Sequence, residues 1–169
     1  FIRGVIKLRK NIITLIDTRK RLGKQSLEEM DKALLDMLKQ REAEHIEWVQ
    51  TLITSIEKDT EFTLTTDPHA CNFGKWYDSY KTDNIGLSIY LKQFDLPHKR
   101  VHGVATRAIH EKKMNGAEAA LKVIDDVRER ELKQLQLLFD GMQDTVRESH
   151  RELAIVIERN ESLIAITAD

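Results

Sequence analysis

Cysteine occurs once in 169 residues, so no internal disulfide can form and a secreted disulfide scaffold is excluded. Proline occurs twice and glycine seven times, both below ordinary usage. Turns must then be few, which argues against an all-β sandwich or barrel. Neither sign of charge is in excess: 27 Lys and Arg face 28 Asp and Glu. The basic surplus of a general nucleic-acid binder is missing, and no nucleic-acid partner is expected. Apolar runs such as Ala154-Ile155-Val156-Ile157 fall far short of the ~18 residues that mark a membrane span. No signal peptide is visible. The sequence starts at Phe1 rather than Met and reads as a piece of a longer protein. Charge is what abounds. At 33% it exceeds the usual ~25%, which calls for an extended water-facing surface.

Apolar spacing over residues 1–57 reads as helical nearly throughout. Ile2, Val5, Ile12 and Ile16 form one stripe, with Leu8, Leu15 and Leu22 seven apart beside it. Gly23 interrupts the pattern. Ser26 with Glu29 then forms a Ser-x-x-Glu capping box, a helix-start signature. Beyond it, Leu27, Met30, Leu34, Met37, Arg41, His45, Trp48 and Leu52 follow the 3/4 spacing of a buried face. Residues 58–67 lose periodicity and read as a loop. Asp67-Pro68 marks a helix start, with a short helix expected from Pro68 to Tyr80. Further helices are expected over Ile85 to Phe94 and Pro97 to Met114, ended by Asn115-Gly116. Residues 117–167 read as one long helix with a heptad seam through Leu132, Leu135, Phe139, Met142, Val146, Ser149, Leu153, Val156, Asn160, Leu163 and Thr167.

These patterns predict an all-α fold, an antiparallel four-helix bundle with two long outer helices forming a stalk. The 169 residues would form a single helical domain. Its core would cover about 40–115, with the stalk made by 1–39 and 117–169. Homodimerisation through the long helices is expected. Helices that run off both ends suggest flanking membrane spans. They place the segment in an extracytoplasmic (periplasmic) loop of an inner-membrane receptor, with a cytoplasmic position as the alternative.

Chemistry concentrates on His45, Cys71, His98 and His102. His98 and His102 are four apart, so on a helix they share a face and can hold one metal. His45 is in phase with the buried stripe. Cys71 lies near a helix start, where free N–H groups and the dipole favour thiolate. Three imidazoles and a thiolate suit tetrahedral Zn²⁺. Four protein ligands would close the site, which suits a structural or sensory role rather than hydrolysis. No Glu follows the first His of the pair, so the zinc-protease pattern is absent. Singly, a core His is more often a packed, hydrogen-bonded residue than a ligand. His69 lies two residues from Cys71, which on a helix points it to another face. Trp48, Phe73, Trp76 and Tyr77 read as packing around the site, Gly74 as a point of close approach, and His110 and His150 as solvated or partly buried. No Ser-His-Asp triad, phosphate-binding loop or paired-carboxylate site is present.

The segments His45-Ile46-Glu47-Trp48, Cys71-Asn72-Phe73-Gly74-Lys75-Trp76-Tyr77 and Pro97-His98-Lys99-Arg100-Val101-His102 resemble the chemoreceptor zinc-binding domain family. That family is marked by His-x-x-Trp, a Cys-x-Phe/Leu-Gly-x-Trp box and a closing His-x-x-x-His. Order and spacing agree, with 26 residues from His45 to Cys71, 27 to His98, and four more to His102. The resemblance covers roughly residues 40–110. It implies an antiparallel helical bundle, often dimeric. It also implies zinc as the cofactor and His45, Cys71, His98 and His102 as its ligands. Family members sit on bacterial chemoreceptors and diguanylate cyclases, where they sense zinc or, in some cases, oxidants.

The function these readings imply is a zinc-binding sensory domain of a bacterial transmembrane chemoreceptor of the methyl-accepting chemotaxis type. It would answer a small-molecule or metal signal by metal- or oxidant-dependent helix repacking. A histidine kinase or diguanylate cyclase parent is the alternative output. A structural zinc site in a bundle that senses another ligand is the alternative role. No enzymatic activity is expected, because a catalytic zinc needs an open coordination position.

Overall fold

The computed structural model describes residues 1–149, 153–159 and 162–168. The chain divides into two compact units, Phe1–Leu34 with Val146–Asp169, and Leu35–Thr145.

The first unit overturns the all-α expectation. It holds a four-stranded mixed sheet built from β1 (Ile2–Leu8), β2 (Asn11–Ile16), β3 (Leu153–Arg159) and β4 (Ser162–Ala168), in the order β1-β2-β4-β3. Two antiparallel hairpins, one from each end of the sequence, meet where β2 and β4 run parallel, Leu15 pairing with Ala165. The stretches are dense in Ile and Val, whose branched side chains fit a pleated surface better than a helix. The β1–β2 connection is two residues long, and Arg9 takes it with a left-handed φ of 55°. The predicted stripe survives in another form. Register places Ile2, Val5, Ile12 and Ile16 on one face of the sheet and Leu15 on the other. On Leu15's face Ile13 and Ala165 are buried, whereas Ile2, Val5, Ile12, Ile155, Ile157 and Ile164 stand exposed on the opposite face.

Helix α1 (Thr18–Arg21) follows β2. The Asp17 carboxylate caps it by accepting the Lys20 N–H at 2.9 Å. Thr18 Oγ1 donates to the Thr167 carbonyl at 2.6 Å, which ties α1 to β4. The capping box forms as read. Ser26 Oγ accepts the Glu29 N–H at 3.3 Å, and Glu29 Oε2 accepts the Ser26 N–H at 3.0 Å. It opens α2 (Leu27–Glu57).

The second unit is helical. It contains most of α2, then α3 (Asn72–Ser79), α4 (Ile85–Lys92), α5 (Asp95–Asn115), α6 (Ala117–Val127), a π-helical turn Arg128–Leu132, and most of α7 (Lys133–Ser149). Along α2, Leu38, His45, Val49, Leu52 and Ile56 are buried at 3/4 spacing. Of the expected stripe, Leu27, His45, Trp48 and Leu52 are buried, Leu34, Met37 and Arg41 are half-buried, and Met30 is exposed. Val101, Val104, Ala105 and Ala108 of α5 and Leu135, Phe139 and Met142 of α7 fill the same core. Gly116, with φ of 89°, ends α5.

The expected long outer helices are therefore shorter than predicted. The seam from Leu132 through Leu135, Phe139 and Met142 to Val146 is helical and buried. Leu153, Val156, Leu163 and Thr167 continue its spacing but lie in strands. Asn160 and His150 lie outside the described residues, and so does the Ser149 side chain. The extracytoplasmic (periplasmic) placement falls with the stalk. It rested on helices running off both ends, and those ends are strands. No helix among the described residues is long and apolar enough to cross a membrane.

Candidate metal centre

Two helices and one turn bring four donors together. His45 projects from α2, His98 and His102 from α5, and Cys71 occupies the cap position of α3. One ligand atom from each lies within 4.8 Å of the others. The three imidazoles are buried and Cys71 is half-buried. Cys71 Sγ is 3.3 Å from His98 Nε2 and 3.9 Å from His45 Nε2. Donors around a tetrahedral zinc stand about 3.3 to 3.7 Å apart, given its bond lengths. The cluster brackets that spacing.

Local sequence explains each position. The helix expected from Pro68 begins instead at Asn72. Residues 67–70 form a turn in which the Asp67 carboxylate accepts the His69 N–H at 2.9 Å and the Asp67 carbonyl accepts the Ala70 N–H at 3.1 Å. That turn swings Cys71 onto the helix end, where its sulfur accepts the Gly74 N–H at 3.2 Å. Gly74 is required there. A Cβ on it would sit 1.8 Å from the Pro68 carbonyl oxygen, so the close approach is to the preceding turn. The same carbonyl lies 3.3 Å from Cys71 Sγ and can accept the thiol proton.

His45 Nδ1 stands 2.6 Å from the Arg41 carbonyl one turn earlier. A carbonyl can only accept, so Nδ1 carries the proton and Nε2 turns its lone pair toward the cluster, the usual arrangement behind a metal-binding imidazole. His102 is the telling member. It is 1% exposed, and neither ring nitrogen makes a well-formed hydrogen bond; the Thr65 carbonyl, which accepts the Trp48 N–H, acts on the ring only as a nearby dipole. A buried polar group without a partner costs about 1–3 kcal/mol, so a native fold rarely leaves one. A metal ion is a partner that would satisfy it.

Of the four aromatics expected around the site, Trp48 and Phe73 meet its histidines, whereas Trp76 and Tyr77 are half-buried behind Phe73. Trp48 lies 4.8 Å from His102 between ring centres, and its Nε1–H is held by the Thr65 carbonyl at 2.9 Å. Phe73 meets His98 edge-on at 5.0 Å, meets Phe139 edge-on at 5.2 Å, and lies tilted against Phe94 at 5.3 Å. Burial in this wall depresses all three imidazoles. His98 is pushed down to about 2, by burial first and then by its imidazole neighbours. His102 is pushed to about 4 by burial and His45, with the Thr65 carbonyl opposing. His45 moves the same way through burial, against the Arg41 carbonyl. Neutral imidazoles with free lone pairs are what a metal needs. Cys71 departs from expectation. Burial raises its thiol, and the amides of Gly74 and Phe73 offset this only in part. Without a cation the sulfur holds its proton.

His69 is not part of the cluster. It is exposed, with Nδ1 2.8 Å from the Asp78 carboxylate. His110 is exposed as well. The supports that sequence reasoning missed are mostly main-chain carbonyls, those of Arg41, Thr65 and Pro68, which carry no residue signature. Glu44 and Asn72 were also missed. Asn72 Nδ2 donates to Glu44 Oε2 at 3.2 Å and so joins α2 to the start of α3 beside Cys71.

Residues 45–109 match the family model of the chemoreceptor zinc-binding domain. The match opens on His45 and includes all four clustered donors. Zinc is the cofactor of that domain, and the His-Cys-His-His cluster is a potential zinc site of the right donor chemistry. No curated protein and no solved structure matches the chain.

Proposed function

We propose that residues 45–109 form a zinc-binding sensory domain of a chemoreceptor-type signalling protein, with His45, Cys71, His98 and His102 as the four ligands of one Zn²⁺. The observation that carries this is the buried cluster itself, and within it the unpartnered His102 ring. When bound, zinc would supply the positive charge that holds Cys71 as thiolate and satisfies the imidazole lone pairs.

The chain's own residues do the rest. The Arg41 carbonyl orients His45, while Trp48 and Phe73 exclude water. The 67–71 turn is the segment with most to gain from a fixed Cys71. Unlike α2 and α5, it has no long helical ladder of its own. A sensor needs two states that differ in ligand affinity, and this turn is the element whose order the cluster sets. Four protein donors leave no position for a substrate, which favours binding over catalysis.

Elemental analysis tests the assignment. The wild-type chain should carry one zinc, and Cys71→Ser should carry far less with helical circular dichroism retained. Full zinc in Cys71→Ser would remove Cys71 from the ligand set. Chelation of the wild type separates sensing from mere support. An ordered metal-free state is expected, and wholesale melting would favour the structural role.

A further inference from the structure

Beside the cluster lies a cavity of about 430 Å³, whose walls include Glu44, Glu47, Thr51 and Asn72 as well as Cys71 and His102. Glu47, Thr51 and Asn72 are exposed, Cys71 is half-buried and His102 is buried. The cavity therefore runs from solvent to the donors. It reaches the cluster at its one half-exposed ligand and at the ring whose two nitrogens lack partners. No Lys or Arg lines it. Arg41, which does not line the cavity, pairs with Glu44 at 3.1 Å, which leaves Glu47 as the lining carboxylate with no ion pair among the described residues.

We propose that this cavity is the entry and exit path of the metal ion, and that Glu44 and Glu47 draw the divalent cation into it. The inference rests on the zinc reading above. A cleft with low-dielectric walls and charge of one sign concentrates counter-ions and speeds their capture, an effect that fades with salt. The Glu44–Asn72 hydrogen bond crosses from α2 to α3 at this mouth, so it also sets the width of the entrance next to Cys71.

Stopped-flow kinetics on the full chain tests this, with zinc ion alone for association and a chromophoric chelator for release. In the Glu44→Gln/Glu47→Gln double variant, association at low salt should fall about threefold to tenfold. The deficit should shrink at high salt, and release should not slow. In Thr51→Trp, which fills the cavity from an exposed position, association and release should slow by the same factor, leaving stoichiometry and affinity unchanged. Should Thr51→Trp fail to fold, the double variant alone decides. Wild-type rates in a folded Thr51→Trp would overturn the path, and wild-type rates and salt dependence in a double variant that still binds one zinc would overturn the part given to Glu44 and Glu47; both results leave the metal centre intact. A wild type that binds no zinc would overturn both.

Discussion

Cys71 Sγ lies 3.3 Å from Nε2 of His98, a residue 27 positions later on a different helix. The approach depends on Cys71 capping α3 rather than lying within it. That in turn depends on Gly74, whose amide reaches the sulfur while the Pro68 carbonyl occupies the space a Cβ would need.

Gly74→Ala should therefore act on metal binding through the backbone. The added carbon meets a carbonyl, not a flexible side chain, so the 67–71 turn must move. Overpacking of this kind costs about 1–3 kcal/mol. The expected result is a lower melting temperature with weaker zinc binding, measured by calorimetry. Wild-type zinc affinity in Gly74→Ala would show that Cys71 does not need this turn.

His102→Leu separates the metal from the fold. In the metal-free protein the change removes two unpartnered buried nitrogens and keeps an apolar volume. Stability without metal should be unchanged or higher by about 1 kcal/mol. The rise in melting temperature that zinc gives a protein binding it only when folded should disappear. A loss above about 2 kcal/mol in the metal-free variant would mean that His102 has protein partners.

Acid should weaken the metal-free protein in a defined window. His98 and His102 sit at about 2 and about 4 against an ordinary 6.5, and His45 is depressed too. The unfolded chain then takes protons first, so stability is full above pH 6.5 and declines as pH falls below it. The His102 share is spent near pH 4 and the His98 share continues lower. The raised Cys71 thiol has the opposite sense, eroding stability above its ordinary value of 9.0. Urea midpoints across pH 4 to 8 give the measurement. A flat profile from pH 7 to 4 would show that these imidazoles meet water.

The sequence by itself showed the four candidate donors, their order and part of the buried face of α2. His45 follows a 3/4 stripe, His98 and His102 share a helix face by spacing alone, and the capping box at Ser26 and Glu29 is a local contact between neighbours. Such features are settled within one or two turns of chain, so a linear reading reaches them. Only the tertiary structure decided that residues 2–16 and 153–168 are strands. Apolar residues at spacings of three and four satisfy a helix, yet Ile2, Val5, Ile12 and Ile16 equally fill one sheet face once a two-residue turn and a bulge are allowed. What distinguishes the two is a partner about 150 residues away, Leu15 beside Ala165, and no local pattern contains it. The state of Cys71 was decided in the same way. Its helix-end position argued for thiolate, but in the metal-free protein burial among residues from α2 and α5 outweighs the amides and raises the thiol above its ordinary range.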